Sequence, residues 1–141
     1  VVLDGVYNAF KDEDGLRADE SLVRYLANGG DPDLITISTD SGGCLASFDA
    51  DGNPSGLDYG RSDDLVLSLS KSAKQLGLEA ALPAFSSNPA RLMRFHQKGR
   101  LAVGMDADLV LLDNNFGIGS VMALGRWMVR EGQPVVGGTF E

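Results

Sequence analysis

One carboxylate in the sequence stands where α/β proteins place their chemistry. Asp40 follows an apolar, β-branched run at residues 34–38 and precedes Ser41 and two glycines. In parallel α/β folds the active site lies beyond the carboxyl ends of the strands, so a carboxylate at this point is a candidate for metal binding or proton transfer. Capping of a turn or helix is the alternative role for an aspartate at a strand end.

The segment after Asp40 predicts a long loop. Residues 41–58 are rich in Gly, Ser, Asn and Asp, with a possible small hairpin whose strand at 45–48 is turned by residues 49–54. Loops of this length in a compact domain are usually functional. The Asp-Ala-Asp-Gly-Asn run at 49–53 resembles the start of a calcium loop, but Pro54 and Gly60 stand where an EF-hand needs Gly and Glu, so we interpret it as a hairpin turn.

Other residues able to do chemistry have simpler interpretations. His96, the one histidine of the sequence, is predicted at the end of a short helix, where a cation complements the helix dipole, rather than in a metal site. Cys44 is either a nucleophile without a base nearby in sequence or a small buried hydrophobe. The run Gly117 to Gly119 lacks a third glycine and predicts a β-turn, and Trp127 is expected in the core.

The elements that must position Asp40 follow from patterning. A short strand is expected at 1–3, then an exposed loop at 11–15, and then a helix capped by Asp19 and ended by the glycine pair at 29–30. The run at 34–38 predicts the next strand. Three helices are predicted beyond the loop, at 62–76 with Ser62 as N-cap, at 78–85 and at 87–95.

The hydrophobic period changes after residue 98. Four short runs with strand character are separated by Gly or Asn turns, at 100–103, 108–112, 121–124 and 127–129. The sequence therefore predicts an α/β part followed by a small all-β part.

Composition limits the partners and the compartment. With 12 Lys+Arg against 20 Asp+Glu, the net charge is −8, which disfavours nucleic acid as a partner. No apolar run is long enough to span a bilayer, so no membrane association is expected. A single cysteine excludes an intrachain disulfide and indicates the cytoplasm. The chain opens on strand-like Val-Val-Leu without a Met, so we expect it to be cut from a longer protein.

Four segments together resemble the carboxy-terminal part of the metal-dependent amidohydrolases. They are Ile-Thr-Ile-Ser-Thr-Asp at 35–40, Ser-Ser-Asn-Pro-Ala-Arg at 86–91, the run from Lys98 to Asp113 with Gly-Met-Asp-Ala-Asp-Leu-Val, and Gly-Arg-x-x-Val-x-x-Gly at 125–132. The loop at 38–43, the Phe-Asp-Ala-Asp-Gly-Asn run at 48–53 and the closing residues 136–141 are similar to those of isoaspartyl dipeptidases.

The resemblance implies an α/β fold that is a carboxy-terminal fragment of a (β/α)8 barrel followed by a small β-sandwich portion. Residues 1–97 would hold the last βα units, with barrel strand seven at 1–3 and strand eight at 34–38. Residues 98–141 would be the carboxy-terminal strands of the sandwich. A complete barrel needs about 250 residues, so this chain cannot contain one.

The resemblance also implies the site. Asp40 would ligate one of one or two zinc ions and shuttle the proton from water to the leaving amine. The position of a substrate-binding serine falls on Cys44, with Ser41 and Gly43 as further candidates for substrate binding. The family's His-x-His pair, carboxylated lysine and two further histidines have no counterpart, so the 141 residues alone are expected to be inactive.

The function implied is hydrolysis of the β-aspartyl amide bond of short peptides by a homo-oligomeric enzyme. Two alternatives remain: another amidohydrolase, of deacetylase or cyclic amidase type, or a non-catalytic remnant or assembly module. Substrate tests separate the first alternative, and zinc binding separates the second.

Overall fold

A parallel pair of strands joined through a helix forms the first part of the chain. The computed structural model describes residues 5–8 and 16–138. Strand β1 (Gly5–Asn8) pairs in parallel with β2 (Ile35–Ser38), and helix α1 (Ala18–Ala27) lies between them in sequence. The strand expected at 1–3 and the loop expected at 11–15 lie outside the described residues. Gly5 begins β1 through its pairing with Ile35.

Helix α1 begins two residues earlier than predicted. Arg17 is its N-cap, and the backbone N–H of Arg17 donates to the Glu20 carboxylate at 2.9 Å. The prediction of Asp19 as the cap is wrong, since Asp19 lies buried in the first turn and pairs with Arg17 Nε at 3.0 Å. Acidic side chains in this turn complement the positive end of the helix dipole.

The predicted long loop is mostly an antiparallel hairpin. Strands β3 (Cys44–Phe48) and β4 (Pro54–Tyr59) pair along their length. The Asp49 carboxylate closes their turn by accepting from the backbone N–H groups of Asn53 at 2.8 Å and Asp51 at 3.0 Å. These hydrogen bonds, chiefly that from Asn53, lower the pKa of Asp49. The interpretation of 49–53 as a hairpin turn is therefore confirmed.

Three helices follow the hairpin: α2 (Asp63–Leu76), α3 (Leu78–Ala81) and α4 (Ser87–Leu92). The bounds predicted for the first agree with α2, although Ser62 at its N-cap makes no side-chain capping bond. The helix predicted at 78–85 is α-helical only to Ala81 and continues as a 3-10 helix (Leu82–Phe85) that includes a proline. Helix α4 ends three residues early, because Arg94 adopts a left-handed conformation with φ +57°.

A small core joins these elements. It is formed by buried residues of α1, β2 and the helices after the hairpin, namely Ala18, Leu22, Ile35, Ile37, Ala73, Ala81 and Ala84. Its small alanines let the helices approach β2 closely, so the strand that leads to Asp40 is held in place by packing against the helices. No helix among the described residues has the length and apolar character needed to cross a bilayer.

The last part of the chain is a four-stranded antiparallel sheet in sequential order. Its strands are β5 (Leu109–Leu112), β6 (Ile118–Ala123), β7 (Arg126–Arg130) and β8 (Gln133–Pro134). The strand predicted at 100–103 is wrong, because Met105 N–H donates to Ala102 O at 3.1 Å and makes a turn there. The turn predicted at 117–119 is also wrong, since β6 starts at Ile118. Trp127 is half-buried rather than in the core, with the Arg130 guanidinium 6.0 Å from its ring centroid.

A lysine holds the segment before β5 to the rest of this sheet. Lys98 Nζ forms ion pairs with Asp106 at 2.8 Å and with Asp108. The second oxygen of Asp108 accepts from the Leu124 N–H in the β6–β7 turn at 2.7 Å. We call Lys98, Asp106 and Asp108 the lysine clamp. Both aspartates of the Gly-Met-Asp-Ala-Asp run therefore pair with the same lysine.

Candidate functional site

Asp40 lies directly beyond β2, in a backbone conformation that residues other than glycine seldom adopt. Its φ is +49°, in the left-handed region where Asp is among the more tolerated residues. A turn maintains this backbone, because the Asp40 carbonyl accepts from Gly43 N–H at 2.8 Å. Next to it, Ser41 N–H donates to Thr39 Oγ1 at 3.1 Å. The result is an exposed carboxylate on a tightly hydrogen-bonded loop, an arrangement found disproportionately at functional sites.

Two glycines pack closely against Asp40. A Cβ added at Gly43 would lie 2.6 Å from Asp40 Oδ2, and one added at Gly60 would lie 2.4 Å from the Asp40 carbonyl oxygen and 2.7 Å from that of Thr39. Gly60 N–H donates to Gly43 O at 3.0 Å, and Gly60 is buried. The two ends of the β3–β4 hairpin therefore meet beside Asp40, with Gly43 next to its carboxylate and Gly60 next to its backbone carbonyl.

The four site residues predicted from the sequence occupy one short stretch. Ser41 is exposed and forms an isolated bridge with Gly60, whereas Gly43 is half-buried. Cys44 begins β3 opposite Tyr59 and is a free, exposed thiol. The alternative that Cys44 is a buried hydrophobe is therefore wrong, because the hairpin leaves this position in contact with solvent.

The described residues do not form a metal centre by themselves. None of their His, Cys, Asp and Glu side chains make a group of three or more able to hold an ion, and protein zinc sites use at least three such ligands. His96 lies exposed beyond the end of α4, on a cleft of about 290 Å³ that it shares with Arg91 and Arg94 and that Asp40 does not line. At most, Asp40 supplies one ligand to a centre completed by other residues.

Sequence reasoning missed two residues that hold the Asp40 loop. Gly60 was considered only as a misfit in a calcium loop, although a glycine at a strand end signals a close backbone approach. Asn88 was assigned only to the start of a helix. Its buried side chain instead donates to Pro32 O at 2.7 Å and to Ile35 O at 2.8 Å, which fixes the start of β2.

Comparison with known proteins establishes the family. A model described as "Amidohydrolase family" matches residues 31–135, a span that contains the Asp40 loop, the helices after the hairpin and the whole of the final sheet. The chain belongs to the amidohydrolase family.

Solved structures give a narrower comparison. A β-aspartyl dipeptidase from Fervidobacterium islandicum AW-1, in complex with a β-Asp-Leu dipeptide, is 32% identical with a TM-score of 0.80, covering 95% of this chain and 36% of that one. An N-acetylglucosamine-6-phosphate deacetylase from Pasteurella multocida is 22% identical with a TM-score of 0.58, covering 83% of this chain and 35% of that one. The chain thus spans about a third of the length of these enzymes.

Proposed function

We propose that this chain is the carboxy-terminal part of a metal-dependent hydrolase that cleaves β-aspartyl dipeptides. The observation that carries the proposal is the 32% identity over 95% of the chain to an enzyme whose crystal structure holds a β-Asp-Leu dipeptide. The similarity to the Pasteurella deacetylase, at 22% identity, supports a shared fold and does not extend to substrate. Because other amidohydrolases share this fold, a deacetylase or cyclic amidase activity is the second candidate.

The proposal includes a place for each part in a larger fold. Strands β1 and β2 with α1 would be the seventh and eighth strands of a (β/α)8 barrel and the helix between them, with the barrel portion ending at residue 97. Residues 98–141 would belong to a β-sandwich. The parallel pairing of β1 with β2 and the antiparallel sheet that follows Lys98 support this division.

We assign the acid–base chemistry of the reaction to the carboxylate of Asp40. Its position beyond the end of β2 and its exposure leave Oδ1 and Oδ2 accessible to a reacting water. There the carboxylate would take a proton from the attacking water and deliver it to the leaving amine, which is general acid–base catalysis. Asp40 would also be one carboxylate ligand of a divalent ion, which the resemblance suggests is zinc. The described residues do not complete that ion's site, so no step is assigned to it.

The residues near Asp40 differ in what they would contribute to substrate binding: one provides shape, and two have exposed polar groups. Both backbone polar groups of Gly43 already hold loop hydrogen bonds, to Asp40 and Gly60. Gly43 would therefore contribute shape rather than a bond. The Ser41 hydroxyl and the Cys44 thiol are exposed polar groups on the same loop, and the hydroxyl is the stronger hydrogen-bond donor of the two.

The test is aspartate release by the gene product at its natural length, loaded with zinc. We expect β-Asp-Leu to be hydrolysed and α-Asp-Leu and N-acetylglucosamine 6-phosphate to be left intact. Asp40→Asn removes the proton-transfer group and should lower kcat by a factor of about 100 to 10,000. Asp51→Asn, which changes an exposed aspartate at the hairpin turn, is the matched control and should leave kcat unchanged.

Three results would contradict parts of the proposal. Full activity in Asp40→Asn would remove the assigned role. Hydrolysis of the acetylated sugar but of neither dipeptide would favour the deacetylase candidate. A protein that binds no divalent ion and cleaves none of the three substrates would support a non-catalytic assembly module.

A further inference from the structure

We infer that Gly60 is a positioning residue for Asp40, and that the β3–β4 hairpin is fastened to the Asp40 loop through it. This inference rests on the proposed role of Asp40. Gly60 lies 20 positions after Asp40 in the sequence, and neither the resemblance nor the motif at 38–43 assigns it a role. Its contacts with the loop are what single it out.

Gly60 leaves no room for a side chain on the Asp40 side. A Cβ there would lie 2.4 Å from the Asp40 carbonyl oxygen and 2.7 Å from the Thr39 carbonyl oxygen. Both atoms belong to the backbone, so no side-chain rotation relieves the overlap. To reach the 3.4 Å of an ordinary van der Waals contact, the Asp40 carbonyl would have to move by about 1 Å.

The same carbonyl closes the turn that presents the carboxylate. It accepts from Gly43 N–H at 2.8 Å, and Gly60 N–H in turn holds Gly43 O at 3.0 Å. Displacing it therefore strains the turn at a residue whose φ of +49° is already unfavourable. A backbone shift of this size is transmitted to the carboxylate, and a misplacement of about 1 Å can lower a catalytic rate roughly 100-fold.

The hairpin offers a matched control glycine. Gly56 lies in β4, four residues before Gly60, and a Cβ added there would meet Ser47 Cβ and Oγ at 3.9 Å, an ordinary contact. Gly56→Ala thus makes the same chemical change in the strand that leads to Gly60, without touching Asp40. Any general effect of an alanine in the hairpin appears in both variants.

The experiment compares Gly60→Ala, Gly56→Ala and Asp40→Asn in the zinc-loaded protein at its natural length, with β-Asp-Leu as substrate. We expect Gly60→Ala to lower kcat about 100-fold, to change KM less than about threefold and to shift the acidic limb of the kcat/KM pH profile. Gly56→Ala should keep the wild-type kcat and pH profile. A loss caused only by unfolding would lower the active fraction without moving the pH profile.

Several outcomes would overturn the inference. If Gly60→Ala has the kcat and pH profile of Gly56→Ala while Asp40→Asn is inactive, Gly60 does not position the carboxylate and the proposed function stands. If Asp40→Asn is active, the proposed function itself fails.

If Gly60→Ala does not fold, Gly43→Ala decides, because its Cβ would lie 2.6 Å from Asp40 Oδ2 and 3.0 Å from the Asp40 carbonyl oxygen, the same backbone atom that a Cβ at Gly60 would displace. A lowered kcat with a shifted pH profile in Gly43→Ala supports the inference. Wild-type kinetics in that variant contradict it.

Discussion

At the scale of single residues, Asn88 illustrates how a buried amide, distant in sequence, fixes the strand that leads to Asp40. Its Nδ2 donates to Pro32 O and Ile35 O, and its Oδ1 accepts from Arg91 Nη2 at 3.3 Å. The Arg91 guanidinium also binds the Asp33 carbonyl. These hydrogen bonds attach helix α4 to the chain just before β2, and they fix the position at which the strand enters the core.

Asn88→Ala should therefore destabilise the fold. The substitution leaves the Ile35 carbonyl without this side-chain donor in the core, and such a loss costs about 1–3 kcal/mol of unfolding free energy. Urea unfolding of the wild type and the variant measures the difference. Asn114→Ala, at an exposed position, is the control. A change in Asn88→Ala no greater than in Asn114→Ala would show that the two hydrogen bonds contribute nothing to stability.

The sequence predicted the position of Asp40 in the fold but not the contacts of Gly60 and Asn88, and one physical reason accounts for the difference. A carboxylate after an apolar β-branched run is a local pattern, and the structure places Asp40 directly beyond β2 as that pattern predicts. The contacts of Gly60 depend on the hairpin register, and those of Asn88 join residues 53 positions apart. Such contacts exist only after the chain has folded, so a local pattern can signal that a glycine meets other backbone but cannot show which residues it meets.

At the scale of elements, the lysine clamp makes the join between the helices and the final sheet sensitive to pH. The ion pairs raise the pKa of Lys98, chiefly through Asp106 and then Asp108. The pKa of Asp108 is lowered from 3.8, first by Lys98 and then by the Leu124 N–H. Asp108 therefore stabilises the fold above its ordinary pKa of 3.8, and this contribution is lost as pH falls through its lower folded pKa. The Lys98 contribution is full below its ordinary pKa of 10.5 and is lost as pH rises through its raised folded pKa.

Lys98→Met should lower Tm at neutral pH, because it leaves the two aspartates facing each other without a cation. The difference from wild type should shrink as pH falls below 3.8, the ordinary pKa of Asp108, because the unfolded chain then takes up a proton that Lys98 keeps off Asp108 in the folded chain. Thermal unfolding followed by circular dichroism between pH 3 and pH 8 measures this. Lys74→Met, at an exposed lysine of α2, is the control, and it should show little change in Tm at any pH. A difference for Lys98→Met that is the same at both ends of the range would exclude an ionic origin.

The elements were easier to predict where their ends carry local signals. Gly77, with φ +82°, ends α2 as its position after the apolar pattern predicts. The strand predicted at 100–103 had the right period, but within the described part of the chain its residues pair with no strand, and they form a turn instead. Pairing partners decide whether an alternating run becomes a strand, and they are not visible in the run itself.

At the scale of the molecule, apolar side chains cluster on the surface around the end of α4. Leu92, Met93 and Phe95 are exposed, and Leu101 and Val103 are 76% and 107% exposed. Grouped exposed apolar residues of this kind mark sites of association in soluble proteins. The segment from 92 to 103 is therefore the part of the described surface most expected to be covered by other protein.

We expect the isolated 141-residue chain to self-associate through this surface. Sedimentation velocity should show a sedimentation coefficient that rises with protein concentration, because contact between copies removes apolar area from water. The double variant Leu101→Glu, Val103→Glu should sediment more nearly as a monomer. A wild-type chain that remains a clean monomer at high micromolar concentration would contradict the expectation.

The contact between Gly43 and Gly60 also makes the position of the Asp40 carboxylate independent of the length of the hairpin. Because the two ends of the hairpin are joined by a hydrogen bond of 3.0 Å, residues can be added or removed in pairs at its far turn without changing the distance from β2 to α2. Exposed loop tips are the places where proteins best tolerate insertions. A protein built on this plan can change the length of its hairpin while the Asp40 carboxylate keeps its place beyond the end of β2.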